Sequence, residues 1–283
     1  MQLASVNCEG QHLFGAVTPQ GFVDFTSAFA GRCHDLRGWL AGDHRAEAAA
    51  LVERAAAPIA LERLDFLPPI PNTDARMVAV GWSYRDHQVE TAAAAPQKPS
   101  IFLKLPSSLV GHGQHLIRPR ASNRFDFEGE IALVIGKAGR HIAPGDAMEH
   151  IAGYAVVMDG SMRDWQQDSI TAGKNFDHSS AYGPWIVTAD EIPDPHAMEL
   201  VTRLNGHEMQ RAHLADMVWG LPALVAYVST IFRLEVGDAI STGTPSGVGS
   251  RRQPPLFLQA NDTLSVEVSG LGVLSNRVVD EPF

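Results

Sequence analysis

Cysteine is nearly absent: the 283 residues carry two, Cys8 and Cys33. Two thiols without CxxC spacing exclude a disulfide framework and the usual zinc or redox motifs, so both read as inert. Basic residues are scarce as well, with 22 Lys and Arg against 32 Asp and Glu and a formal net charge of −10. Such a surface repels a phosphate backbone, and only short pairs such as Arg251-Arg252 oppose it, which excludes nucleic acid as a partner. No uncharged apolar run reaches the roughly 20 residues of a membrane span. The longest, 217–232 between Asp216 and Arg233, reads as a buried helix. The opening residues lack both a basic n-region and an apolar h-region, so the expected compartment is the cytoplasm, with no membrane association. Also missing are a Gly-Lys-Ser/Thr phosphate loop and the glycine fingerprint of a dinucleotide fold.

What is present is an ordinary globular composition, 45% hydrophobic and 19% charged, in a chain long enough for a small domain attached to a larger one. Residues 1–67 are expected to form a small β-containing N-terminal domain, with the alternating Gly21-Phe22-Val23-Asp24-Phe25 and an Ala-rich helical stretch at 44–60. The Pro-rich 68–76 reads as a linker, because proline has no backbone donor and a fixed φ. From 77 to 283 the chain is β-rich, with apolar or alternating runs at 77–81, 131–136, 154–158, 185–188 and 264–268. Asn205-Gly206 predicts a hairpin, since both positions tolerate positive φ. Pro222 fits the first turn of a helix that carries Leu224, Val225, Val228, Ile231 and Phe232 at helical spacing. The Ala92–Ala95 run beside Pro96 reads as a mobile segment.

The chemistry is carried by carboxylates. In Phe125-Asp126-Phe127-Glu128-Gly129-Glu130, the i, i+2 spacing puts Glu128 and Glu130 on one side of a strand, with Asp126 extending the row. Adjacent acids entering an apolar strand repel each other and resist burial, so they either face solvent or share a cation. Taken alone, this segment reads better as a solvated strand end. A second apolar strand, Gly153 to Met158, also ends in an acid, Asp159. A third carboxylate delivered there would complete an all-oxygen site suited to Mg²⁺ or Mn²⁺, with Ca²⁺ a further candidate in purified protein. His112, His115 and His178 lack the second cluster that a zinc site would need.

Five blocks in order resemble the C-terminal catalytic domain of the fumarylacetoacetate hydrolase family, from about Val78 to Val273. They are Gly81 to Glu90 (GWSYRDHQVE); Phe102-Leu103-Lys104; the Glu-x-Glu strand; Gly153 to Gln166 with Gly173-Lys174-Asn175-Phe176-Asp177; and Ser241 to Gly249 (STGTPSGVG). The resemblance implies a mixed, β-roll-like α+β fold and a homodimer. It implies Glu128, Glu130 and Asp159 as metal ligands and His87 with Glu90 as a general-base dyad one helical turn apart. The Ala-rich stretch beside that dyad suggests a helix that orders on closure over substrate. Lys174 is implied to hold a substrate oxygen or enolate; Lys104, Gln166 and Thr244 are implied substrate contacts. Arg163 reads as an ion pair supporting the acidic site, and Gly243, Gly247 and Gly249 as a tight loop. One departure stands out: Met158 replaces the Asn that commonly precedes the family's metal-binding aspartate, removing a polar neighbour of the metal.

The activity implied is hydrolysis of a carbon–carbon bond in a 1,3-diketo acid of the acylpyruvate or fumarylpyruvate type. Water activated by the dyad would attack the distal carbonyl, and the departing carbanion would be held at the metal as an enolate. The same apparatus serves an oxaloacetate-type decarboxylase or a 2-hydroxy-diene-dioate isomerase, since the fold does not fix the reaction. A non-catalytic oxo-acid binder would show damage to the carboxylates or the dyad, and neither is damaged.

Overall fold

The computed structural model describes residues 1–91 and 96–282; the Ala92–Ala95 segment, read from the sequence as mobile, lies outside the described residues. The strands are β1 Gln2–Cys8, β2 Gln11–Thr18, β3 Gly21–Asp24, β4 Asp65–Phe66, β5 Met77–Gly81, β6 Ser100–Lys104, β7 Leu109–Val110, β8 Leu116–Arg118 and β9 Phe125–Asp126. They continue as β10 Gly129–Ile135, β11 Ile151–Met158, β12 Ser161–Met162, β13 Ser180–Thr188, β14 Glu199–Leu204, β15 His207–His213, β16 Ala239–Ser241, β17 Thr263–Val268 and β18 Gly272–Asp280. Among the described residues six short α-helices join them: α1 Leu36–Leu40, α2 Arg45–Arg54, α3 Arg85–Thr91, α4 Arg163–Gln166, α5 Ile170–Lys174 and α6 Leu221–Ile231. The fold is mixed α+β, as the family resemblance implies.

An 11-stranded sheet runs β3-β2-β1-β13-β11-β10-β16-β5-β6, with β4 beside β1 and β7 beside β13. A five-stranded sheet, β15-β14-β17-β18-β8, covers one of its faces. The near-continuous apolar runs of β10 and β11 follow from burial on both sides. Ile131, Leu133, Ile135, Tyr154 and Val156 pack with Leu200, Val266 and Leu274 of the second sheet. The intervening Ala132, Val134, Ala155 and Val157 pack with Leu3, Phe14, Phe25 and Trp39 of the leading segment. Residues 1–24 thus add three strands to the main sheet, where Leu3 pairs with Ile186 of β13.

Asn205 and Gly206 take positive φ (51° and 81°) between β14 and β15, making the expected hairpin. Pro222 lies in the first turn of α6, which buries Leu221, Leu224, Val225 and Val228. The Ala-rich 44–60 stretch is helical over Arg45–Arg54 only, because the chain turns extended at Ala55 and Ile59 bridges to Phe22. Among the described residues, no helix is long and apolar enough to cross a membrane.

Candidate active site

β10 and β11 are antiparallel neighbours, with Gly129 opposite Met158. The ladder continues one step past the strand ends, where Asp159 N–H donates to the Glu128 carbonyl at 2.9 Å. Glu128 therefore stands just outside β10, in the link from β9, and Asp159 stands across from it. One carboxylate oxygen from each of Glu128, Glu130 and Asp159 lies within 4.8 Å of the others, and all three residues are buried. Ser241 Oγ (2.5 Å) and the Gly243 N–H (3.1 Å) donate to Glu130 Oε2. Gly243 can do so because its φ is +84°, and an added Cβ would meet Ser83 Oγ at 2.2 Å and the Val80 carbonyl at 2.4 Å.

Two lysines balance this charge from below. Lys174 Nζ donates to Glu128 Oε2 and, at 2.8 Å, to Asp159 Oδ2. Burial alone would push its pKa down, but Asp159 and Glu128 hold it above the ordinary lysine value, so Lys174 is a fixed positive charge. Lys104 is 2% exposed; its Nζ donates to Ser180 Oγ at 2.8 Å and to the Lys174 carbonyl, and it lies 2.8 Å from Asp159 Oδ1. Burial, opposed by Asp159 and reinforced by the Lys174 charge, lowers its pKa. Glu130 is pushed up to about 8 by burial and by the charges of Asp159 and Glu128. The cluster is thus short of positive charge, as a cation site should be.

Arg163, opening α4, donates from Nε to Asp126 (2.8 Å) and from Nη2 to Glu128 (2.6 Å). It makes the ion pair expected from the sequence. Asp126 does not extend the acidic row. It is wholly buried and accepts from Arg163 and from the N–H groups of Gly249 (2.7 Å) and Ser250 (2.9 Å). Gly249 has no room for a side chain, since a Cβ would fall 1.9 Å from the Leu256 carbonyl.

The His87–Glu90 pair is assembled on α3: His87 Nδ1 and Glu90 Oε2 are 2.9 Å apart. Glu90 Oε1 accepts from the Gly247 N–H at 2.9 Å. Burial opposes ionisation of Glu90, but His87 and the Gly247 amide outweigh it and hold its pKa below the usual carboxylate value. This helix, read from the sequence as ordering on closure, is formed and tied to the Gly247 loop.

A cavity of about 510 Å³ is lined by His87, Glu128, Glu130, Arg163, Gln166, Lys174 and Thr244, and further out by Trp82, Arg124, Ser250 and Arg251. It brings together the sequence-predicted residues except three that do not line it: Asp159, Glu90 and Lys104. Lys104 is displaced from the expected substrate contact because its ammonium is consumed by Asp159 and Ser180. Gln166 Oε1 accepts from Arg163 Nη1 at 2.9 Å. Thr244 Oγ1 donates to the Gly129 carbonyl (3.0 Å) and accepts from Gln210 Nε2 (2.8 Å). Gln210 Oε1 in turn accepts the Gly129 N–H, so Thr244 and Gln210 together pin the residue between the two glutamates. Sequence reasoning missed Gln210, a lone buried polar residue on an otherwise exposed edge strand, which leaves no periodic signal. It also missed Ser180, whose hydroxyl donates to no acid.

A buried carboxylate triad and a histidine–carboxylate pair opening on one cavity define an enzyme. The chain belongs to the fumarylacetoacetate hydrolase family: residues 76–279 match its model, described as fumarylacetoacetate (FAA) hydrolase C-terminal. The chain is 42% identical to the mitochondrial oxaloacetate tautomerase FAHD2A of Homo sapiens over 218 residues, 76% of this chain and 69% of that one. A fumarylacetoacetate hydrolase from Exiguobacterium antarcticum has the same fold, with TM-score 0.84, 31% identity, and coverage of 99% of this chain and 100% of that one. The maleylpyruvate hydrolase of Sphingobium sp. SYK-6 in complex with manganese(II) and pyruvate gives TM-score 0.83 at 26% identity, with both chains covered completely.

Proposed function

We propose that this enzyme interconverts the enol and keto forms of a short 2-oxo acid of the oxaloacetate type, with a divalent metal held by Glu128, Glu130 and Asp159. The observation that carries the reading is His87, backed by Glu90, on the wall of the cavity that the carboxylates floor. One proton acceptor beside a chelation site is what moving a proton between carbon and oxygen requires. The 42% identity to an oxaloacetate tautomerase supports this substrate class.

The donors fit a hard divalent cation. All three are carboxylate oxygens, the set that suits Mg²⁺ or Mn²⁺. One oxygen of each lies within 4.8 Å of the others, close enough to meet on one ion, and Lys104, 2.8 Å from Asp159 Oδ1, holds that carboxylate in place. When bound, the metal would hold the 2-oxo acid end and polarise its carbonyl. His87 takes the proton from the carbon next to that carbonyl, and Glu90 steadies the resulting imidazolium. Lys174 supplies positive charge where the oxygen becomes enolic, and the His87 imidazolium gives its proton up to that oxygen, which leaves the imidazole neutral again. Ketonisation runs the same steps backward. Gln166 and Thr244 sit on the wall as substrate contacts, while Lys104 acts as a positioning residue through Asp159.

A second reading, hydrolytic cleavage of an acylpyruvate, is favoured by the likeness to the maleylpyruvate hydrolase. Decay of enol absorbance should be followed with metal-stripped protein, before and after Mg²⁺ or Mn²⁺, with acetylpyruvate and fumarylpyruvate cleavage and CO₂ release monitored in parallel. Metal-restored exchange that disappears in His87→Ala is the expected result. Acylpyruvate cleavage without enol–keto exchange moves the assignment to the hydrolase, and CO₂ release from oxaloacetate to the decarboxylase. The homodimer is part of this proposal, and sedimentation giving only monomer at assay concentration overturns it.

A further inference from the structure

We infer that Arg124 and Arg251 form a clamp for a second, distal carboxylate, so that the cavity selects 2-oxo dicarboxylic acids over monocarboxylic ones. The inference rests on reading the cavity as a 2-oxo acid site and adds the residues that set its substrate class.

The cations along this cavity divide into two kinds. Arg163 is spent on Asp126 and Glu128, and Lys174 on Glu128 and Asp159. Arg124 and Arg251 line the same wall, are exposed, and form no ion pair of their own among the described residues, the charge of Arg251 reaching Glu90 only at longer range. The inner end is lined by Glu128 and Glu130, with Asp159 behind them, and by two engaged cations, and a chelating 2-oxo acid end belongs there. The outer end offers two guanidiniums and the backbone turn at Ser250. With a divalent metal bound at the floor, a small dianion running from floor to rim would meet positive charge at both ends.

The two arginines are far apart in sequence but structurally tied. Asp126 is two residues beyond Arg124 on β9, and it accepts the N–H groups of Gly249 and Ser250, the residues that lead into Arg251. Arg124 is fixed further: its N–H donates to Ser122 Oγ at 3.0 Å, its carbonyl accepts the Arg163 N–H at 3.1 Å, and its guanidinium lies 5.7 Å from the Phe257 ring centroid. One buried aspartate thus holds both arginine-bearing segments in register. Guanidinium pairs suit a carboxylate because their planar donors match its two oxygens.

The test compares oxalate, which can occupy only the chelating end, with oxaloacetate, which carries the distal carboxylate. Binding of each to the Mg²⁺-loaded protein is measured by calorimetry for wild type, Arg124→Ala, Arg251→Ala and the double variant. The double variant should bind oxaloacetate at least tenfold more weakly while its oxalate affinity changes less than twofold, and the Lys/Lys double variant should recover part of the loss. Equal weakening of both ligands, or unchanged affinity for oxaloacetate, overturns the clamp. Because binding is read without turnover, failure of the tautomerase reading leaves a separate signature: the same affinity difference with no enol–keto exchange.

Discussion

Asp126→Asn is the sharpest single test of how the site is held. The side chain is fully buried and accepts four hydrogen bonds: from Gly249 N–H at 2.7 Å, Ser250 N–H at 2.9 Å, Arg163 Nε at 2.8 Å and its own neighbour Phe127 N–H at 2.8 Å. Asparagine has the same shape but one acceptor oxygen. Whichever way it is turned, its NH₂ faces donors, either Gly249 and Phe127 or Ser250 and Arg163. Hydrogen bonds to a charged group contribute about 1.5–3 kcal/mol, and stripping a partner from a buried ion pair costs about 3–5 kcal/mol. Arg163 keeps Glu128, so a net loss of about 3 kcal/mol is expected. With an unfolding entropy of about 2.1 cal/mol/K per residue, a chain of this length loses about 0.6 kcal/mol per degree, giving a Tm about 5 °C lower by scanning calorimetry. Asp74→Asn is the control. Its 2.7 Å pair with Arg37 is as short, but Asp74 is 74% exposed, so Tm should move by less than about 1 °C. If the two variants shift Tm equally, the reasoning from burial fails.

The other expectations concern the site and its supports. Gly243→Ala should lower Tm and weaken Mg²⁺ binding together, because the new Cβ cannot fit beside Ser83 and Val80 and the Gly243 N–H moves off Glu130; unchanged metal affinity in calorimetry would separate the turn from the centre. His87→Ala should cut turnover by about 10²–10⁴-fold while leaving metal affinity within a factor of two, since it touches proton transfer and not the ligands; equal loss of metal binding would contradict that division. Burial lowers the pKa of His112, whose Nδ1 accepts the Ser275 N–H at 3.1 Å and so needs the neutral ring. The unfolded chain therefore binds this proton more readily, and the contribution of His112 is complete above about pH 6.5 and declines as pH falls below it. The drop in Tm between pH 7 and pH 5 should be smaller in His112→Gln, and an identical drop would assign the acid sensitivity elsewhere.

The centre was legible in the sequence where local pattern and tertiary position coincide. β10 and β11 are adjacent antiparallel strands, so acids at their facing ends had to meet, and Glu128, Glu130 and Asp159 could be grouped from spacing and family resemblance. Asn205-Gly206 and Pro222 were readable because turn and helix-start chemistry is local. Depth was not legible. Lys104 has the sequence context of a surface lysine at a strand end, and only the stacking of α5 on β6 encloses it behind Asp159. Asp126 follows the period of the acidic row, yet β9 pairs with β12 and not with β11, and there Asp126 meets Arg163 and the Gly249 loop. Arg124 and Arg251 are 127 positions apart, and their place on one cavity wall depends on hydrogen bonds between loops that leave no periodic trace.

The pairing of β1 with β13 also bears on how the catalytic part can be handled in isolation. β13 presents its outer edge to β1, and Ala155, Val157 and Ile186 in this layer pack against Leu3 and Phe14 of the leading strands. A fragment begun after the Pro-rich segment would carry an unpaired, apolar strand edge, which is a template for self-association. Ser180, at the other end of that strand, pairs with Leu109 of β7, so its support of Lys104 and the Gly160 amide would persist in such a fragment. Keeping such a fragment monodisperse would call for a charged or proline substitution on the outward edge of β13, the blunting that the first strand now provides.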